Sequence, residues 1–106
     1  MSTLNPNAVR RLVLVMEELR KIDAELPVQA ALAFAMIMQR DGEITQRDIV
    51  NDTDMTKASV SRLITTLVNR GVIQSVRSLE DRRVWNLSLT AEGRRIAKTL
   101  VHLMEA

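Results

Sequence analysis

Apolar residues recur at three- and four-residue intervals near the start of the chain, at Val9, Leu12, Val13, Met16, Leu19 and Ile22, so they line one face of a helix. Asn5-Pro6-Asn7 supplies a start signal, because an Asn side chain accepts from the unpaired N–H groups of a first turn and proline tolerates that turn. The spacing predicts a first helix over residues 7–25. Leu14 and Val15 widen its apolar surface beyond one stripe, which points either to a thick core or to a partner chain. Pro27 suits the first turn of a second helix over 28–40, where alanine and methionine fall on nearly every side. That helix reads as buried almost all round until Asp41-Gly42 stops it.

Thr45 followed by Asp48 resembles a capping box and opens a short helix, Gln46 to Asp52, anchored by Ile49 and Val50. Thr53-Asp54-Met55 reads as a tight connection to a further helix from Thr56, with Val60, Leu63, Ile64 and Leu67 inward and Ser61, Arg62, Thr65 and Asn69 outward. Arg70 and Gly71 end it, glycine being free to take the left-handed conformation that closes a helix. The period then shortens from 3.6 to 2. Val72 to Val76 form one strand, and Trp85, Leu87 and Leu89 alternate with Asn86 and Ser88 in a second. The loop between them, Arg77 to Arg83, is too charged to pack and should project outward. Thr90 caps a last helix over 91–104, with Ile96, Leu100 and Leu103 on one face.

The elements define a mainly α fold, a winged helix-turn-helix with a two-stranded β-wing: helix-turn-helix over 46–70, wing over 72–89, and helices at both ends for dimerisation. Residues 1–106 read as one domain, and a chain that is 46% hydrophobic has enough apolar material for one core. Without cysteine there is no disulfide, thiolate metal site or thiol nucleophile, and the single histidine, His102, has no partner ligand. The longest apolar stretch, Ala30 to Met38, is far shorter than the roughly 20 residues of a membrane span, and no basic segment leads into an apolar one at the start. A cytoplasmic protein that binds no membrane is expected.

Net charge adds an asymmetry. The total is only +2, yet residues 56–98 hold nine basic and three acidic side chains, while residues 41–55 hold one basic and five acidic ones. Such a basic segment suits phosphate neutralisation, and a solvated charged face is the plain alternative. Asp41, Glu43, Asp48, Asp52 and Asp54 fall at caps and turns, which explains them without a metal. The chain is therefore read as a non-enzyme with no cofactor.

In a winged helix-turn-helix the second helix enters the major groove and the hairpin reaches the adjacent minor groove. Thr56, Lys57, Ser59, Ser61 and Arg62 are the candidate contacts on the helix, with Arg62 reading a base; Arg77, Arg82 and Arg83 are the candidates on the wing. Trp85 shares the Leu87 and Leu89 face and should pack the wing onto the domain; Met16, Met36 and Met38 read as core fillers.

Three segments carry a resemblance. Met55 to Ile64, reading MTKASVSRLI, Leu67 to Ile73, reading LVNRGVI, and above all Asp81 to Gly93, reading DRRVWNLSLTAEG, resemble the MarR family of transcription regulators. The resemblance implies a two-fold homodimer on a near-palindromic double-stranded DNA operator, and repression by steric occlusion. It also implies a wing-tip pair, Asp81 orienting the Arg83 guanidinium that enters the minor groove. Small-molecule pockets between the dimerising and DNA-binding parts belong to the same resemblance. Here the last helix has only about 14 residues, roughly 21 Å long, which makes an effector site doubtful. The competing reading is a winged-helix protein-interaction module without specific DNA binding.

Overall fold

The computed structural model describes residues 3–105. Helix α1 (Pro6–Leu19) begins where the Asn5 side-chain Oδ1 accepts the N–H groups of Asn7 at 2.9 Å and Ala8 at 3.3 Å. It ends at Leu19, not near Glu25. The N–H groups of Lys21 and Ile22 turn back to Glu18 and Leu19, and the Asp23 carboxylate accepts the Glu25 N–H at 3.0 Å, a local bond that competes with the helical ladder. The turn drives Ile22 into the core.

Helix α2 (Val28–Gln39) buries Ala30, Ala33, Phe34 and Ile37, with no exposure at all. The expectation of burial on every side fails: Val28 is 78% and Leu32 46% exposed, because α2 is covered from the inner side only, by the helix that follows Thr56 and by the wing. Helix α3 (Gln46–Asp52) opens with the full capping box, the Thr45 hydroxyl accepting the Asp48 N–H at 3.1 Å and the Asp48 carboxylate accepting the Thr45 N–H at 2.9 Å. Helix α4 (Lys57–Asn69) then buries Val60, Leu63, Ile64 and Leu67 against α2 and α3. Gly71, at φ +74°, closes it in the left-handed region.

Strands β1 (Ile73–Arg77) and β2 (Trp85–Leu89) pair antiparallel, with Ile73 opposite Leu89 and Arg77 opposite Trp85. Ile44 bridges to Leu87 on the other edge of β2, so the α2–α3 connection adds a short third rung at the root of the wing. Helix α5 (Ala91–Glu105) follows and packs on α1. Ile96, Ala97 and Leu100 reach the core, and Leu103 is half-buried. No helix among the described residues is long and apolar enough to cross a membrane.

Outside that core α1 is nearly bare. Leu12 and Met16 are 57% and 52% exposed, with Val9, Val13 and Leu14 also open, so Met16 is not a core filler. Met36 and Met38 do pack against the core. On α5, Val101 and Met104 are exposed as well.

Gly93 fixes how α5 docks. A Cβ there would lie 1.9 Å from the Val72 carbonyl oxygen, and the Val72 carbonyl also accepts the Thr90 N–H. Backbone on both sides leaves nothing to yield. Gly93→Ala should therefore lower stability by about 3 kcal/mol, read as a fall in the melting temperature; an unchanged midpoint would show that α5 is not held this close.

Candidate nucleic-acid interface

With one face of α4 buried, its opposite face is set by geometry. Lys57, Ser61, Arg62 and Thr65 are exposed, while the Thr56 hydroxyl caps the helix by accepting the Ser59 N–H at 3.1 Å. Ser59 Oγ accepts from the Thr56 hydroxyl at 3.0 Å and from Arg62 Nη2 at 3.3 Å. The cap thereby reaches one helical turn further and holds the Arg62 guanidinium over the N-terminal half of α4. Thr65 and Thr66 hydroxyls donate back to the carbonyls of Ser61 and Arg62, which keeps both side chains close to the helix.

The wing tip is similarly ordered. Ser78 and Val84 close the loop through the Ser78 N–H to the Val84 carbonyl at 2.8 Å, and the Ser78 hydroxyl accepts the N–H groups of Glu80 and Asp81. Asp81 then receives three bonds from one residue: the Arg83 backbone N–H at 3.0 Å, Nε at 3.1 Å and Nη2 at 3.1 Å. The bidentate fork holds the Asp81 carboxyl below its ordinary range and raises Arg83 above its own. Arg83 nonetheless remains 90% exposed, so the pair orients the guanidinium without hiding it. Arg82 is exposed beside it.

Arg77 and Trp85 form the last register pair of the hairpin, and the Arg77 guanidinium lies 4.5 Å from the centre of the Trp85 ring. Trp85 is 48% exposed, although Leu87 and Leu89 on its face are buried. The expectation that Trp85 packs the wing onto the domain is met only in part, because the sheet carries its ring past the edge of the core. There it lines one side of a cleft of about 310 Å³, whose opposite side is Thr45, Gln46 and Arg47 of the α3 start.

That cleft exposes a residue missing from the sequence-derived set. Arg47 faces Arg83 and Trp85 on one side and, with Gln46, shares a second depression with Lys57 on the other. It therefore joins the helix face to the wing in one basic track. Its signal in the sequence is being the one basic residue in the acidic stretch 41–55, at an exposed position of α3.

Three acids of that stretch, Asp41, Asp48 and Asp52, are held by hydrogen bonds or ion pairs within the fold. Asp48 caps α3 and, with Asp52, faces Arg40 at 3.4 and 3.9 Å. Asp41 accepts the Leu89 N–H and an Arg94 N–H. Among the described residues no group of three or more His, Cys, Asp or Glu side chains is arranged to hold a metal ion. His102 lies on a shallow surface depression with Lys98 and Glu105.

Residues 30–78 match the sequence family described as Domain of unknown function (DUF7343). No curated protein matches the chain by sequence. Solved structures do match. The S. aureus MepR–DNA complex aligns at a TM-score of 0.74 and 18% identity, over 92% of this chain and 78% of that one. Streptococcus pneumoniae FabT in complex with DNA aligns at 0.70 and 25% identity, over 92% of this chain and 69% of that one. A MarR transcriptional regulator from Methanosarcina mazei Go1 aligns at 0.68 and 18% identity, over 88% and 65%. These alignments cover 88–92% of this chain, and by its fold the chain is a winged helix-turn-helix of the MarR type.

Proposed function

We propose that the protein is a homodimeric, sequence-specific regulator that binds double-stranded DNA in the cytoplasm and represses transcription by occluding its operator. The observation that carries this reading is a pair of exposed guanidinium groups, each held by a neighbour: Arg62 by Ser59 on α4 and Arg83 by Asp81 on the wing. A free arginine loses rotamer freedom on binding, and a tethered one has already lost part of it. Helix α4 with Thr56, Lys57, Ser59, Ser61 and Arg62 would enter the major groove, and Arg83 the narrow minor groove, whose negative potential suits a weakly hydrated cation. Arg77, Arg82 and Arg47 would neutralise phosphates between the two. The DNA complexes of MepR and FabT support the reading through shared fold.

Selection from random duplexes at two salt concentrations tests it: one enriched near-palindrome, with affinity falling steeply as salt rises, is expected. Absence of any enriched sequence would overturn it. In the same assay Arg62→Ala should lose about 1–3 kcal/mol and relax preference at one base per half-site, whereas Lys57→Ala should weaken all duplexes alike.

The wing makes a separate prediction. Arg83→Ala should lower affinity and reduce the preference for A·T-rich flanks, leaving the bases read by α4 unchanged. Asp81→Ala should cause a milder loss in the same direction, although removing a negative charge near DNA favours tighter binding by simple electrostatics. Tighter binding by Asp81→Ala would refute the paired wing tip.

Dimerisation rests on the exposed apolar residues of α1 and of the end of α5, two helices that pack on each other. A two-fold pairing there would cover Leu12, Val13, Met16 and Met104, each about half exposed and so worth roughly half of the 1.5–3 kcal/mol of full burial, and would set two α4 helices about one DNA turn apart. Light scattering should give a dimer at micromolar concentration and a monomer for Leu12→Glu combined with Met16→Glu. A monomeric parent would contradict this.

A further inference from the structure

Beyond the groups that face DNA, one carboxylate ties three parts of the fold together. Asp41 lies just past the end of α2; its Oδ1 accepts the Leu89 N–H at 2.8 Å and its Oδ2 accepts an Arg94 N–H at 2.6 Å. Leu89 ends β2, and Arg94 lies in the first turns of α5. The edge of β2 that faces away from β1 is completed at Leu87, whose N–H donates to the Ile44 carbonyl and whose carbonyl accepts the Gly42 N–H. Alternation along a strand sends the Leu89 N–H to the same edge. No backbone is left there to receive it, and Asp41 supplies the missing acceptor. Its second oxygen is then free for α5.

We propose that Asp41 is a positioning residue: by bridging β2 to Arg94 it fixes the angle of the wing against α5, and hence the place of Arg83. The inference rests on the DNA-reading function proposed above. Leverage makes the angle matter. Arg83 lies about six residues beyond Leu89, roughly 20 Å at 3.4 Å per residue, so a 10° tilt at the root moves the tip by about 3 Å. A minor groove is only about 6 Å wide. The hairpin's other root contacts, the Thr90 hydroxyl to the Gly71 carbonyl at 2.6 Å and the Thr90 N–H to the Val72 carbonyl, hold the β1 side. Asp41 alone, among the described bonds, joins the outer edge of β2 to α5. Burial pushes its carboxyl up, but the Leu89 N–H and Arg94 outweigh burial and hold it below its ordinary value, so the bridge stays charged at neutral pH.

The absence of native cysteine allows a direct test. Nitroxides on Leu79→Cys at the wing tip and Lys98→Cys on α5, both exposed, report the wing angle by pulsed electron–electron distance measurement without DNA. Unlabelled protein is added in excess so that each dimer carries one labelled chain. The parent should give one narrow distance distribution. Asp41→Ala should broaden or shift it by about 3 Å or more, with the Leu89 amide exchanging at least tenfold faster. Asp41→Asn, which keeps an acceptor for Leu89 but loses the charge toward Arg94, should fall between and remain folded if the alanine variant does not. A distribution unchanged in both variants overturns the proposal whether or not the protein binds DNA. On selected duplexes Asp41→Ala should cut the A·T-flank preference at least threefold and leave base preference under α4 intact. An equal loss of both preferences would show a merely structural residue and would also overturn it. A moved wing in a protein whose parent selects no duplex would leave the bridge standing and sink the DNA-reading function instead.

Discussion

Burial of one face of α4 is the constraint on which the rest depends. Val60, Leu63, Ile64 and Leu67 are withdrawn from water against α2 and α3, and an α-helix that hides one face must show the other. That single orientation presents Arg62 and its neighbours together, and it sets where the chain leaves the helix at Gly71. The wing then starts from a fixed point. Gly93 lets α5 close on the Val72 carbonyl at that same point, so helix-turn-helix, wing and end helix share one junction.

The basic groups that this frame displays differ in how they are held. Arg62 is tethered by a hydroxyl, Arg83 by a bidentate carboxylate and Arg77 by an aromatic face, while Arg70 is drawn to Asp23 at 2.8 Å. The last of these ties the end of α4 to the turn after α1. Exposed ion pairs add little stability, about 0–1 kcal/mol each, so their value here lies in orientation. Restricting a long side chain in advance lowers the entropy lost when it meets a partner.

Periodicity and caps made most of the frame legible in the sequence. The capping box at Thr45, the inward stripe of α4, the stop at Gly71 and the change of period at the wing are each local signals, and each lies where the residues indicated. What escaped depends on side-chain geometry across the fold. The early end of α1 follows from an Asp23 turn that no glycine or proline announces, and the bare outer face of α2 follows from packing on its inner side, by α4 and the wing. Trp85 alternates correctly with Leu87 and Leu89, yet the sheet extends beyond the core before reaching it. Arg47 looked like one charge among acids until α3 was set beside the wing. Asp41 read as a helix stop, and its two long-range partners, Leu89 and Arg94, are about fifty residues away.

In the proposed function helix face and wing tip act together on one duplex, and amide shift mapping of isotope-labelled protein with a selected operator distinguishes joint from separate engagement. Amides in residues 56–62 and 77–84 and around Arg47 should be perturbed, all saturating at the same DNA concentration, with residues 98–104 of α5 unmoved. Perturbations confined to the exposed faces of α1 and α5, or a wing that stays silent while α4 responds, would contradict it.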